Sequence, residues 1–275
     1  MSYRFALLLG SLMASFALPQ AFALPQAYVT NEKDNTLSVI DMTTFDVVET
    51  IEVGERPRGF ILSADQSHAY ICASDADRIQ IMDLSTHSIV GDLPSGADPE
   101  TIALHPNGTT IYTANEDDAL LTVIDIPTAQ VISQIDVGVE PEGLAVSHDG
   151  SMMVVTSETT NMVHWIDTKT HENIANSLVD ARPRDAHFTR DDKYLWVSSE
   201  IGGTVSIFET ATKQKVKTLS FAIKDVYRDK VQPFGIVRLK NRPYASLALG
   251  PHNRITCYTT DHFAVEYVIV VCRPL

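Results

Sequence analysis

Along most of the chain, short apolar runs alternate with polar turns, and the whole pattern returns every 42 residues. Aligned on its closing acid, one run reads "TLSVID" ending at Asp41, "RIQIMD" at Asp83, "LTVID" at Asp125, "VHWID" at Asp167 and "VSIFE" at Glu209. A second marker keeps the same beat. Pro57, Pro99, Pro141 and Pro183 stand 42 residues apart, followed by Pro233 after 50 and Pro274 after 41. Two independent markers in one register define an internal repeat, and a period in the low forties with several short strands per unit points to propeller blades.

Each unit predicts four strands. The proline opens an apolar run such as "GLAVS" (143–147), and a turn such as "HDG" or "HPNG" follows. Then come "IYTAN" (111–115), a polar turn, "LTVID" and "VISQIDV". The strands are rich in Val, Ile, Tyr and Thr, and the turns in Gly, Asn and Asp. No unit shows 3.6-residue periodicity over ten or more positions, which excludes helical repeats. The fold class is therefore all-β, a propeller of four-stranded blades. Its 275 residues, 44% of them apolar, suffice for a sizeable core.

"AYVTNEKDNTLSVIDMTTFDVVETIEVGERPRG" (27–59) resembles the YVTN-family β-propeller repeat, down to Tyr28, Val29, Thr30 and Asn31. Together with "ALGPHNR" (248–254), it is similar to exported propellers associated with PQQ-dependent alcohol oxidation. The resemblance implies a seven-bladed ring and a place beside periplasmic dehydrogenase or transporter components. It leaves PQQ to those associated enzymes, so no cofactor is expected on this chain. The first unit opens at its second strand, and "CRPL" stops where Pro274 should begin another inner strand. The expectation is about six blades with an incomplete C-terminus, the alternative being a six-blade ring whose first blade has three strands.

The N-terminus changes the picture of location. Arg4 precedes "FALLLGSLMASFAL", and "AFA" at 21–23 supplies small residues for a cleavage site. Residues 1–23 are expected to be a signal peptide and 24–275 the propeller, periplasmic and without a membrane span after cleavage. Thirty-five acids against 21 bases, a formal charge of −14, argue against nucleic acid as a partner. Three cysteines cannot form a complete disulfide framework. Cys72, within "AYICA", is expected to be a buried inert thiol, and Cys257 and Cys272 lie in segments that neighbouring strands could bring together.

Candidate chemistry gathers at the prolines. An inner strand starts at each, so the bracketing residues should stand at the mouth of the central channel, here called the proline face. They are Arg56 and Arg58, Asp98 and Glu100, Glu140 and Glu142, and Arg182 and Arg184, with Gln232 and Phe234 at the fifth proline. Two readings stand: the arginines hold a small anionic ligand in bidentate fashion, or the charges pair across blades as a solvated rim, each contributing at most about 1 kcal/mol. Glu32, Glu116, Glu158 and Glu200 recur in a second turn, with Asp75 in the second unit. They offer oxygen ligands to Ca²⁺ without the spacing of a dedicated calcium loop, and turn-stabilising hydrogen bonds are the plainer reading.

The spacing from Glu209 to Pro233 is 24 residues, against 16 in earlier units. The added stretch, with Tyr227, Arg228 and Lys230, is either loop drift or a recognition lid. The nine histidines form no HxxxH or HxH, and neither GxSxG nor a P-loop occurs. The functional expectation is an exported, non-catalytic binding or scaffold propeller. A lactonase-type hydrolase using channel carboxylates and a divalent metal is the alternative.

Overall fold

A computed structural model of the chain describes residues 25–221, 223, 226, 227, 230–238, 244–250, 254–259 and 265–270. The expected signal segment, Arg228, Cys272 and Pro274 lie outside the described residues. The 42-residue unit becomes one antiparallel sheet in each case. The first sheet holds β1 (Gln26–Asn31), β2 (Thr36–Asp41) and β3 (Val47–Glu52). The second is β4 (Pro57–Leu62), β5 (His68–Ala73), β6 (Arg78–Asp83) and β7 (Ser88–Pro94). The third is β8 (Pro99–Leu104), β9 (Thr110–Asn115), β10 (Leu120–Asp125) and β11 (Gln130–Asp136). Then follow β12 (Pro141–Val146), β13 (Met152–Ser157), β14 (Met162–Asp167) and β15 (Glu172–Leu178). The fifth sheet is β16 (Pro183–Phe188), β17 (Tyr194–Ser199), β18 (Thr204–Glu209) and β19 (Gln214–Ser220). The sixth is β20 (Pro233–Arg238), β21 (Tyr244–Leu249), β22 (Arg254–Thr259) and β23 (Val265–Val270). Six blades result among the described residues, the first with three strands, and Pro57, Pro99, Pro141, Pro183 and Pro233 each open an inner strand as predicted.

The core lies between blades. Five clusters of buried side chains each join one sheet to the next, as when Leu37 and Val39 of β2 pack with Ala69 and Ile71 of β5. Trp165 is fully buried between blades four and five, with Phe188 and Phe208 edge-on at 6.4 and 6.1 Å. The recurring aspartate has a local cause. Asp41, Asp83 and Asp167 accept backbone N–H groups two residues on, at 2.6, 2.8 and 2.9 Å, closing the turn before the outer strand. The Ser85 hydroxyl, which also donates to Asp83, and these N–H groups favour the charged carboxylate and hold Asp83 down to about 2.

Phe221 and Val231 are buried at the two ends of the lengthened segment before Pro233, and Phe221 meets the Tyr258 ring at 5.7 Å. Tyr227 between them is 84% exposed. Cys72 and Cys257 are buried free thiols, and burial pushes Cys72 up to about 12.

Candidate functional site at the channel mouth

An up-and-down blade puts its second hairpin turn at the same end as the loop into the next blade, and backbone bonds tie the two together here. Glu116, Glu158 and Glu200 donate their N–H groups to the carbonyls of Asp98, Glu140 and Arg182, at 3.0, 2.9 and 2.8 Å. The residue before each proline is left-handed, with φ of 51° at Arg56, 47° at Asp98, 57° at Glu140 and 59° at Arg182. Side-chain acceptors hold three of these residues in place: the N–H of Arg56 reaches Asn35 Oδ1, that of Asp98 reaches Asp77 Oδ1, and that of Arg182 reaches Asn161 Oδ1. Repetition of the backbone thus places the bracketing side chains around one opening.

The charges there pair across blades in a continuous chain. Arg56 meets Asp98 at 2.7 Å, Glu100 at 2.8 Å and Glu32 at 3.2 Å. Arg58 contacts Glu100, lies 3.0 Å from Glu32 and 3.7 Å from Glu142. Glu142 in turn accepts from Arg184 at 2.9 Å, and Arg184 also engages Glu158 and, at 2.9 Å, Glu200. Arg182 closes the series on Glu158 at 2.8 Å. Glu140 stands apart and accepts from the Thr159 hydroxyl. At the fifth proline the Phe234 ring lies 5.1 Å from the Arg184 guanidinium, and Gln232 is left-handed with φ 44°.

Three features differ from a solvated rim. The Glu100 side chain is 0% exposed, and those of Glu158 and Glu142 only 6 and 10%. Burial pushes Glu100 up to about 9, and its hydrogen bond with Glu116 adds to the shift against the pull of Arg58. Burial pushes Glu142 up to about 7, opposed by Arg184 and Arg58 and reinforced by Glu158. A cavity of about 250 Å³ opens beside this network, lined by Thr30, Glu32, Arg58, Glu100 and Thr101 with Pro57 and Gly59.

Asp98, Glu100 and Glu116 bring oxygens within 4.8 Å of one another, the spacing of a cation site. The donor set fits a resident Ca²⁺ poorly. Arg56 already occupies Asp98 and Glu100, and Arg58 contacts Glu100 as well.

Asp185 escaped the sequence reading. It stands where other units carry Gly59, Thr101, Gly143 and Gly235, and its carboxylate accepts from the N–H of Ile236 at 2.7 Å, stitching blade five to blade six. An acid where three of the other four units carry glycine was the available signal. His164 has a serine neighbour, with Ser157 Oγ at 3.1 Å, but its Nε2 accepts the Gly138 N–H at 2.9 Å and its Nδ1 donates to Asn176 Oδ1 at 2.6 Å. Ser157 is fully buried, so this group holds the loop instead of attacking a substrate.

Among the described residues, no helix is long and apolar enough to cross a membrane. The fold is similar to that of Kuenenia stuttgartiensis hydrazine synthase, at TM-score 0.77 and 21% identity over 86% of this chain and 74% of that one. At that identity the likeness shows the propeller architecture alone. No curated protein matches the sequence. Residues 21–223 match the model of the family described as "Domain of unknown function (DUF5074)", and the chain belongs to that family.

Proposed function

We propose that this chain is an exported, non-catalytic binding propeller that recognises a protein partner on its proline face. The observation that carries the reading is the Arg–Glu chain across blades two to five, a fixed charge pattern on rigid inner strands at a channel mouth. Its sign selects the partner. Four arginines face seven acidic side chains, Glu32, Asp75, Asp98, Glu100, Glu142, Glu158 and Glu200, and the five other than the upward-shifted Glu100 and Glu142 already outnumber them, so the surplus is negative. A small anion would compete with several carboxylates for each arginine. A partner presenting basic groups would not. The YVTN-type sequence and the "AFA" leader support a periplasmic setting beside PQQ-dependent alcohol oxidation, where a dehydrogenase or transporter component is the natural partner class.

A photo-cross-linking residue at Val139, 49% exposed on the proline face, and another at Lys169 on the opposite face test this in the exporting cell. Salt-sensitive cross-links to a basic protein from position 139 alone support it; equal cross-links from both positions overturn it. One observation favours a hydrolase as the second reading. Glu142, at about 7, is poised for acid–base work beside other carboxylates. Metal-dependent lactone turnover, lost in Glu142→Gln, would establish that reading instead.

A further inference from the structure

The two halves of the proline face differ in side-chain character at equivalent repeat positions. Leu178 ends the outer strand of blade four opposite Met162 and is 66% exposed. Glu52 and Asp136 hold that place in blades one and three, opposite Thr36 and Leu120. Ile201, 48% exposed, stands in the second hairpin turn of blade five where blades one, three and four carry Lys33, Asp117 and Thr159. Phe234, 45% exposed, is the second residue of β20, a place held in the other inner strands by Arg58, Glu100, Glu142 and Arg184. Tyr227, 84% exposed, belongs to the lengthened connection, which leaves blade five opposite Thr204 and re-enters at Pro233, both on this face.

These apolar groups are joined to one another and to the charged network. The Gly202 N–H reaches the Ala181 carbonyl at 2.9 Å, which seats the hairpin of Ile201 on the connection that follows Leu178. The Phe234 ring lies 5.1 Å from the Arg184 guanidinium, Arg184 meets Glu200 at 2.9 Å, and Ile201 follows Glu200 in the chain. The Ser198 hydroxyl donates to the Phe234 carbonyl at 2.6 Å and fixes the inner strand of blade six on blade five. An apolar crescent across blades four to six is therefore bordered by the carboxylates that Arg184 gathers.

We propose that this crescent is the anchor of the proline-face interface and takes an apolar side chain that the partner protein carries between basic residues. The inference rests on the partner reading given above and adds where on that face the partner is held. Side chains this exposed stand clear of the surface and enclose no small ligand, which needs a concave pocket. A second copy of the chain, at −14, or an anionic lipid surface would bring negative charge against Glu158 and Glu200. A segment with an apolar centre and basic flanks satisfies both parts of the surface. Its apolar contacts supply most of the affinity, and its charges select the site.

Two fluorescent peptides of equal charge separate the anchor from the acidic border. One is two lysines, phenylalanine, leucine and two lysines; the other has serines in place of the apolar pair. At low salt the apolar peptide should bind the exported chain about tenfold more tightly, and this advantage should vanish in Ile201→Ser with Tyr227→Ser. Both replaced side chains are exposed, so urea unfolding should be unchanged, and the comparison of peptides needs no variant at all. An advantage that persists in the variant overturns the inference. Equal binding of the two peptides, with both lost in Glu158→Gln with Glu200→Gln, overturns the anchor and leaves the acidic mouth in place. Binding of neither peptide overturns the anchor and the basic-partner reading together.

Discussion

Replacing Arg184 with alanine separates a buried charge network from a solvated rim. The guanidinium serves Glu142 and Glu200 at 2.9 Å each and also contacts Glu158, with all three carboxylates at most 13% exposed. Arg182 remains near Glu158 and Glu200, but Glu142 keeps only Arg58 at 3.7 Å. Removing one partner of a buried pair costs about 3–5 kcal/mol, against at most about 1 kcal/mol for an exposed pair. The cost should depend on pH. Glu142 has a folded value of about 7 against an ordinary 4.5, so its protonated form contributes stability that is complete below 4.5 and lost as pH rises through 7. Without Arg184 the folded value rises further and the window extends upward. Urea unfolding should therefore show a loss of about 3–5 kcal/mol near pH 8 and about 1–2 kcal/mol near pH 5, the remainder being packing over Phe234. A loss below about 1 kcal/mol near pH 8, or equal losses at both pH values, would refute the buried-network reasoning.

Glu142→Gln should flatten the pH dependence of stability between 4.5 and 7, where the native chain loses about 3 kcal/mol through this group; parallel unfolding curves across that range check it. Trp165→Ala should cost about 3–5 kcal/mol by emptying the junction between blades four and five, measured by the same unfolding assay. N-terminal sequencing of exported protein should begin at Leu24, whereas a retained Met1 in a membrane fraction would defeat the periplasmic assignment.

The blade architecture was legible because two markers with separate physical causes share one period. The aspartate closes a turn through its own side chain, and the proline opens a strand whose first N–H needs no partner, so each position is fixed locally and shows in the sequence. The candidate site was legible only in part. Residues around each proline could be placed at the mouth, but the recurring Glu turn was read as a separate group. Glu158 and Arg182 are 24 residues apart and belong to different blades, and their 2.8 Å contact follows from how blades abut rather than from either motif. Burial was the larger miss. A charged residue beside a proline reads as rim, yet crowding of inner strands around the axis leaves Glu100 without exposed side-chain surface. Burial of Phe221 and Val231 on either side of the added residues before Pro233 was likewise not readable from the spacing.

The claim that recognition lies on the proline face is tested most directly by comparing charge-neutralised variants of the two faces for binding to the protein cross-linked from position 139. Glu158→Gln with Glu200→Gln removes negative charge from the mouth, while Asp149→Asn with Asp192→Asn removes as much from the opposite face. Measured by surface-immobilised binding at low salt, affinity should fall about tenfold or more in the first pair and stay within about twofold in the second. Unchanged binding in the first pair with loss in the second would contradict the account.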